Sequence, residues 1–261
     1  MKAILKYPGS KWRIADWIIN YMPEHKVYLE PFFGSGAVFF KKQPSYIETI
    51  NDIDGNIVNL FRVCREYPEK LVRSISLTPF SREEYISCYE IDVEDSIERA
   101  RRCLVRFHQS FGTSNSSKNS WRNVQSYGGP RCATMWNDLP EIILQCCERL
   151  KNAQIENIDA IELIRRYNSQ DTLIYCDPPY LPNIRKKNLY KHEYSEEQHI
   201  KLINSLKKSN SMVILSGYDN ELYNDLLPDW CTAVKNTTVQ MGLHRVEKIW
   251  MNFVPNMLAE L

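Results

Sequence analysis

No stretch of this 261-residue chain approaches the roughly 18 consecutive apolar residues of a membrane span. No secretory leader is expected either: Met1 to Lys6 runs straight into Pro8 and Gly9, too short for an apolar signal region, and a cytosolic protein is expected. None of the eight cysteines (Cys64, Cys88, Cys103, Cys132, Cys146, Cys147, Cys176, Cys231) falls in a Cys-x-x-Cys pair, and the five histidines stand apart from them. That spacing offers no frame for a metal, so reduced and mostly buried thiols are expected. Repeats and low-complexity tracts are also missing. The net charge of +1 names no partner. A local absence is more telling. Between Arg99 and Arg131 there is no Asp or Glu, while Arg99, Arg101, Arg102, Arg106, Lys118, Arg122 and Arg131 give that window +7. Positive charge is therefore focused on one segment of a nearly neutral chain, an electrostatic footprint suited to nucleic acid.

What is present reads as an alternation of strands and helices. Lys6 to Lys11 forms a turn into a helix with Ile14, Trp17, Ile18 and Tyr21 on its apolar face. Val27-Tyr28-Leu29 reads as a strand running into Glu30-Pro31-Phe32-Phe33-Gly34-Ser35-Gly36, and a helix opens near Ala37. A second strand, Tyr46 to Ile50, ends in Asn51-Asp52, with Asp54 placed to cap the next helix. Strand, glycine loop, helix, strand, acid and helix open a doubly wound nucleotide-binding sheet. From 68 to 150 the strand signal vanishes. A capping box at Ser81 to Glu84 and a helix carrying Ile97, Ala100, Leu104, Phe107 and Phe111 are followed by a polar stretch from Gly112 to Pro130, and the helix Leu139 to Leu150 leads back. The fold class is thus α/β, with a core formed by 1–67 and 151–261 and an inserted, mainly helical module at 68–150. Beyond it come a strand at Gln154 to Asn157, a helix from Asp159, the buried strand Thr172 to Cys176, a capping box at Ser195 to Gln198, the strand Met212 to Ser216, and a terminal β-hairpin of Cys231–Val239 and Val246–Phe253.

A glycine loop between strand and helix lets backbone N–H groups approach a ligand, and an acid ending the next strand can accept both hydroxyls of a ribose. Gly34 and Gly36 supply the loop, and Asp52, 16 residues beyond Gly36, supplies the acid. The third glycine of the dinucleotide motif is missing, so an adenosine ligand without a pyrophosphate suits the loop better. A plain glycine turn and a capped helix start would use the same residues.

The strand Thr172 to Cys176 ends in Asp177-Pro178-Pro179-Tyr180. Together with Tyr7-Pro8-Gly9-Ser10-Lys11, Glu30 to Gly36, Asn51-Asp52-Ile53-Asp54, Leu215-Ser216-Gly217-Tyr218 and Glu247-Lys248-Ile249-Trp250-Met251-Asn252, it resembles the DNA adenine methylase family of S-adenosylmethionine-dependent amino-methyltransferases. The likeness covers nearly the whole chain except the insertion. It implies a class I methyltransferase sheet and S-adenosylmethionine as cofactor. Tyr7 and Lys11 would meet the methionine end, Phe32 and the Gly34 to Gly36 backbone would line the pocket, Asp52 would bind the ribose and Ile53 would pack on the adenine. Asp177 would adjoin both cofactor and substrate. Asp159 admits two readings, an acid near the cofactor adenine or the N-cap of the helix that follows.

The substrate implied is duplex DNA, with an adenine swung out of the helix. Its N6 amine is a poor nucleophile because the lone pair is delocalised into the ring. A carboxylate at Asp177 and the carbonyl of Pro178, fixed by Pro179, can accept its two N–H bonds and aim the lone pair at a methyl group. Tyr180 offers a face for the extruded base. Cys176 reads as a strand residue and not as a nucleophile. Arg106, Gln109, Lys118, Trp121, Arg122 and Arg131 in the insertion are expected to face DNA, as are Arg185, Lys186 and Lys187 beyond Tyr180. Methylation of cytosine N4, RNA adenine or a protein glutamine, and an inactive DNA-binding protein keeping the fold, remain as alternatives. No obligate protein partner is indicated.

Overall fold

A computed structural model describes residues 1–89, 93–112, 118–124, 131–182, 190–238 and 244–255. Five parallel strands form the body of one sheet: β1 (Val27–Glu30), β2 (Ile47–Asn51), β3 (Ala153–Glu156), β4 (Thr172–Cys176) and β5 (Met212–Tyr218). The hairpin strands β6 (Cys231–Thr238) and β7 (His244–Met251) complete it, with β7 antiparallel to β5 and β6 at the edge. The order is β3-β2-β1-β4-β5-β7-β6. All five residues of β4 are buried, as expected for a central parallel strand covered on both faces. Neighbouring β1 and β4 lie where the chain reverses its direction of travel across the sheet, so the segments leaving Glu30 and Cys176 emerge side by side. Such a switch point is where open α/β sheets bind ligands.

The helices are α1 (Ala15–Ile19), α2 (Ala37–Lys41), α3 (Gly55–Glu66), α4 (Pro68–Ser76), α5 (Arg82–Ser87), α6 (Ser96–His108), α7 (Cys132–Asn137), α8 (Leu139–Leu150), α9 (Ala160–Arg166), α10 (Glu196–Lys207) and α11 (Glu221–Leu226). Several begin where the sequence signals them. Asp54 accepts from Asn56 N to cap α3, and the Ser195–Gln198 box is formed in both directions at α10. At α5 only half of the expected box exists. The Ser81 hydroxyl accepts from Glu84 N, but the Glu84 carboxylate is drawn to Arg101, and Ser81 N donates to Gln109 Oε1 instead. Helix α6 also ends before the spacing predicted: it stops at His108, leaving Phe111 69% exposed.

Two apolar clusters cover the sheet. One is built from α9, α10 and α11 with Leu29, Ile174, Val213 and Trp250. The other runs without a break from Tyr28, Ile50 and Tyr175 through α3 into Leu104, Trp136 and Ile143 of the 68–150 segment. Among its described residues the segment's regular elements are helices, with one bridge between Ser110 and Trp121, and α6 and α8 both pack on α3. Seven cysteines are buried and Cys231 is partly so. Among the described residues no helix is long and apolar enough to cross a membrane.

Candidate active site

The loops at the switch point enclose one cleft of about 240 Å³, lined among others by Tyr7, Lys11, Phe32, Gly34, Asp52, Ile53, Asp159, Asp177 and Pro179. Residues from five separate stretches therefore meet in a single space. Gly34 has φ +49°, and a Cβ there would lie 3.0 Å from the Tyr7 ring, so the loop and that tyrosine touch only because the side chain is absent. Gly36 serves the turn itself: its φ is +64°, its N–H returns to Phe33 O at 2.7 Å, and a Cβ would collide with Phe33 and Phe40. It shapes the wall without lining the cleft.

Asp52 is 8% exposed. One oxygen accepts from Gly34 N at 2.8 Å and the other from Asp54 N at 2.9 Å. Each carboxylate oxygen can take a second donor, so the group can hold the loop and bind hydroxyls together. Burial lifts its pKa to about 6, partly offset by those backbone donors. Ile53 is 51% exposed on the rim, and Phe32 meets Tyr194 edge-on at 5.6 Å. Asn51 fastens the floor by donating to Pro31 O and Ile158 O while accepting from Ile158 N. Asp159 caps α9 through Glu162 N at 3.0 Å and also lines the cleft, so its two readings are compatible.

At the deep end, Lys11 is 3% exposed. Its ammonium donates to Asp177 Oδ1 at 2.7 Å and to Tyr180 Oη at 2.6 Å, and Glu247 Oε2 lies 3.9 Å away. Burial alone would lower the pKa of Lys11, but the two carboxylates outweigh it and hold the ammonium charged. Burial raises Asp177, with Lys11 and Ser216 countering. Tyr180 differs from expectation. It is 5% exposed and stacked on Tyr218 at 4.1 Å, with its hydroxyl donating to Glu247 Oε1 at 3.4 Å. A base can stack on that ring only after its neighbours shift. Cys176 is fully buried and its thiol is pushed well up, which suits a strand residue.

The basic segment is less positive than its own residues suggest, because acids from outside the window enter it. Arg101 pairs with Glu84 and Glu98, and Arg102 with Glu98. Gln109 is fully buried: its amide donates to Pro79 O while Oε1 accepts from Ser81 N and Trp121 Nε1. With its amide committed in this way, Gln109 braces the turn and has no side-chain surface facing a ligand. Trp121 is half-buried against Phe80 and Arg82. Arg122 is tied by its backbone N–H to Gln109 O and by Nε to Ser110 O, so its position is fixed while much of its fork remains available. Lys118 and Arg131 are exposed, and Arg106 lies half-buried beside Tyr89. Among the described residues none of these last four cations has a carboxylate within 4.0 Å. Arg185, Lys186 and Lys187 lie outside the described residues.

A model of the D12 class N6 adenine-specific DNA methyltransferases matches residues 7–243, from the glycine turn through the Asp177 loop into the terminal hairpin. The chain belongs to that family. Similar proteins include the type II methyltransferase M1.LlaDCHI of Lactococcus lactis subsp. cremoris, 28% identical over 88% of this chain and 86% of that one. The DNA adenine methylase of Haemophilus influenzae is 24% identical over 85% and 83% of the two chains. The DNA N-6-adenine-methyltransferase of Escherichia phage P1 is 27% identical, but the match covers only 31% of its length. The protein is an adenine-specific DNA methyltransferase with a Rossmann-like sheet.

Three residues that line the candidate cleft, Tyr190, Tyr194 and Glu30, were not singled out as site residues in the sequence. Tyr190 and Tyr194 line the cleft from the segment before α10, where only their aromatic character in a polar stretch gave a signal. Glu30, at the end of β1, is 2% exposed, accepts from Tyr28 Oη at 2.7 Å and is pushed by burial to about 8. Phe111 reads as a helix residue by spacing, yet stands exposed beside Gly112 and close in sequence to Lys118 and Arg122.

Proposed function

We propose that the protein moves a methyl group from S-adenosylmethionine to the N6 amine of an adenine extruded from duplex DNA, using the cleft that joins Asp52 to Asp177. The observation that carries this reading is that one cleft is lined both by an acid able to take ribose hydroxyls and by the acid of the Asp-Pro-Pro-Tyr turn. The residues fit the cofactor. Asp52 has acceptor capacity beyond its two backbone bonds, Ile53 and Phe32 offer apolar surface for an adenine, and Gly34, lacking a side chain, lets the Tyr7 ring close on the loop. The Lys11 ammonium sits at the deep end, although in this structure it is engaged by Asp177 and Tyr180 and not held open for a cofactor carboxylate.

When bound, S-adenosylmethionine supplies an electrophilic methyl group on a sulfonium sulfur. Asp177 accepts one N–H of the target amine and the Pro178 carbonyl the other, which holds nitrogen in the geometry it must reach as it becomes tetrahedral. The Asp177 carboxylate then stabilises positive charge developing on nitrogen, and the surplus proton leaves to water. The prolines restrict the backbone that presents both acceptors. Lys118, Arg122 and Arg131 supply cations for phosphates, and exposed Phe111 is a side chain able to fill the space a displaced base leaves. Separating the core of 1–67 and 151–261 from a recognition module at 68–150 fits this division of labour, although the two share one apolar cluster.

Incubation with methyl-labelled cofactor and unmethylated duplex DNA, followed by nucleoside analysis, tests the reading. Label in N6-methyladenine supports it. Label only in N4-methylcytosine, RNA or protein would sink it.

A further inference from the structure

Phe111 and Arg122 stand on a short ladder within the 68–150 segment. Phe111 N donates to Ser120 O at 2.6 Å, Arg122 N donates to Gln109 O at 2.7 Å, and Ser110 bridges to Trp121 between them. The start of α5 lies against this ladder. The Trp121 ring packs on Phe80 with centroids 5.7 Å apart, and the Arg82 guanidinium lies over the same ring at 4.9 Å. Arg82 falls outside the acid-free window of 99–131, so the charge count that marks that window leaves it out.

Three features set Arg82 apart. It is exposed, and among the described residues no carboxylate lies within 4.0 Å of it. It is the first residue of α5, the end of a helix at which backbone N–H groups disfavour a cation, so the helix gains nothing from its charge. Its contact with Trp121 is of the third kind: the π face attracts the cation and localises it, while the planar fork of five N–H donors is left to water until an oxyanion takes it. A guanidinium held in this way suits a partner that can accept two of its donors at once. Along a duplex that partner is a backbone phosphate.

We propose that Arg82 binds a backbone phosphate of duplex DNA, and that Trp121 is the positioning residue that holds its guanidinium for that contact. This rests on the DNA reading above and carries the DNA-facing surface beyond the 99–131 window onto the start of α5. A phosphate contact fixes the register of a duplex and carries no sequence information. Arg82 therefore supplies affinity and alignment beside the ladder that bears Phe111 and Arg122, and Trp121 acts through Arg82.

The experiment measures binding of the full-length protein to a labelled mixed-sequence duplex over a series of salt concentrations, for wild type, Arg82→Gln, Arg82→Lys, Trp121→Leu and the Arg82→Gln, Trp121→Leu double variant, with melting temperatures alongside. Arg82→Gln should leave melting unchanged and reduce the slope of log affinity against log salt by about one. Arg82→Lys keeps the charge and should keep the wild-type slope. Trp121→Leu should weaken binding in the wild-type background and cost nothing further once Arg82 is replaced, because the ring then has no guanidinium to hold. A purely structural role for Trp121 would lower affinity equally in both backgrounds, and that result overturns its part. A wild-type slope in Arg82→Gln overturns the phosphate contact, and the two Arg82 variants decide that question even if Trp121→Leu does not fold. A wild-type protein that binds no duplex DNA overturns the DNA reading beneath the proposal, and the wild-type control alone distinguishes that case.

Discussion

At the residue scale, the protonation of Asp52 in the fold and its proposed binding of a ribose carry opposite pH signatures. Its pKa in the fold, about 6, lies above its ordinary 3.8, so between those values the folded chain binds the proton more tightly than the unfolded one. The stability contributed by this group is present at low pH and is lost as pH rises through the window. A ribose, by contrast, requires the carboxylate. Calorimetry should therefore show cofactor affinity falling as pH drops below about 6, and Asp52→Asn should bind weakly and without that dependence. A pH-independent affinity in the wild type would detach Asp52 from the cofactor. Gly36 makes a stability prediction. With φ +64° and a Cβ that would lie 2.3 Å from Phe33, Gly36→Ala should lower stability by about 1–3 kcal/mol in denaturant unfolding. Both residues were legible in the sequence as a loop and an acid. Their environment was not, because the burial that shifts Asp52 comes from chain segments far away along the sequence.

At the scale of elements, caps were the most readable feature, since each is a contact between residues two or three apart. Asp54 and Ser195 form the caps their spacing signals. Ser81 does so only in part, because Arg101 and Gln109, from another helix and its following turn, compete for the same groups. Asp159 allows a separation of cap from site: Asp159→Asn preserves a capping oxygen and Asp159→Ala does not. The alanine variant should lose about 1 kcal/mol of stability in thermal unfolding, while asparagine stays near wild type. Weaker cofactor binding in the asparagine variant would show that the charge also serves the cleft. Helix α6 marks where periodicity fails as a guide. Phe111 continues the spacing of Phe107, but the helix is already closed at Gln109, whose N–H returns to Val105 O and whose amide is bound to the neighbouring turn.

Across the whole molecule, the α/β class of the fold was legible in the alternation of strands and helices, because such an alternation has few ways to close and a doubly wound sheet is the common one. The electrostatics of the 68–150 segment were harder to read. A window count registers Arg101 and Arg102 as free charge, whereas Glu98, next to the window in sequence, and Glu84, from α5, neutralise them in space. DNA binding should therefore depend on fewer cations than seven. Replacing exposed Lys118 with Ala should reduce the slope of log affinity against log salt by about one, whereas Arg101→Ala should act mainly through stability. Equal salt slopes for Lys118→Ala and wild type in a titration series would place the DNA elsewhere on the molecule.

The central proposal is that cofactor and base meet at Asp177, and it is tested most directly by the single-turnover rate of methyl transfer in Asp177→Asn, with cofactor affinity measured on the same preparation. The isosteric change keeps the shape of the turn but removes the charge that faces the nitrogen. The rate should fall by roughly 10²–10³ while cofactor affinity stays within a few-fold of wild type. A variant that transfers methyl groups at the wild-type rate would contradict the account.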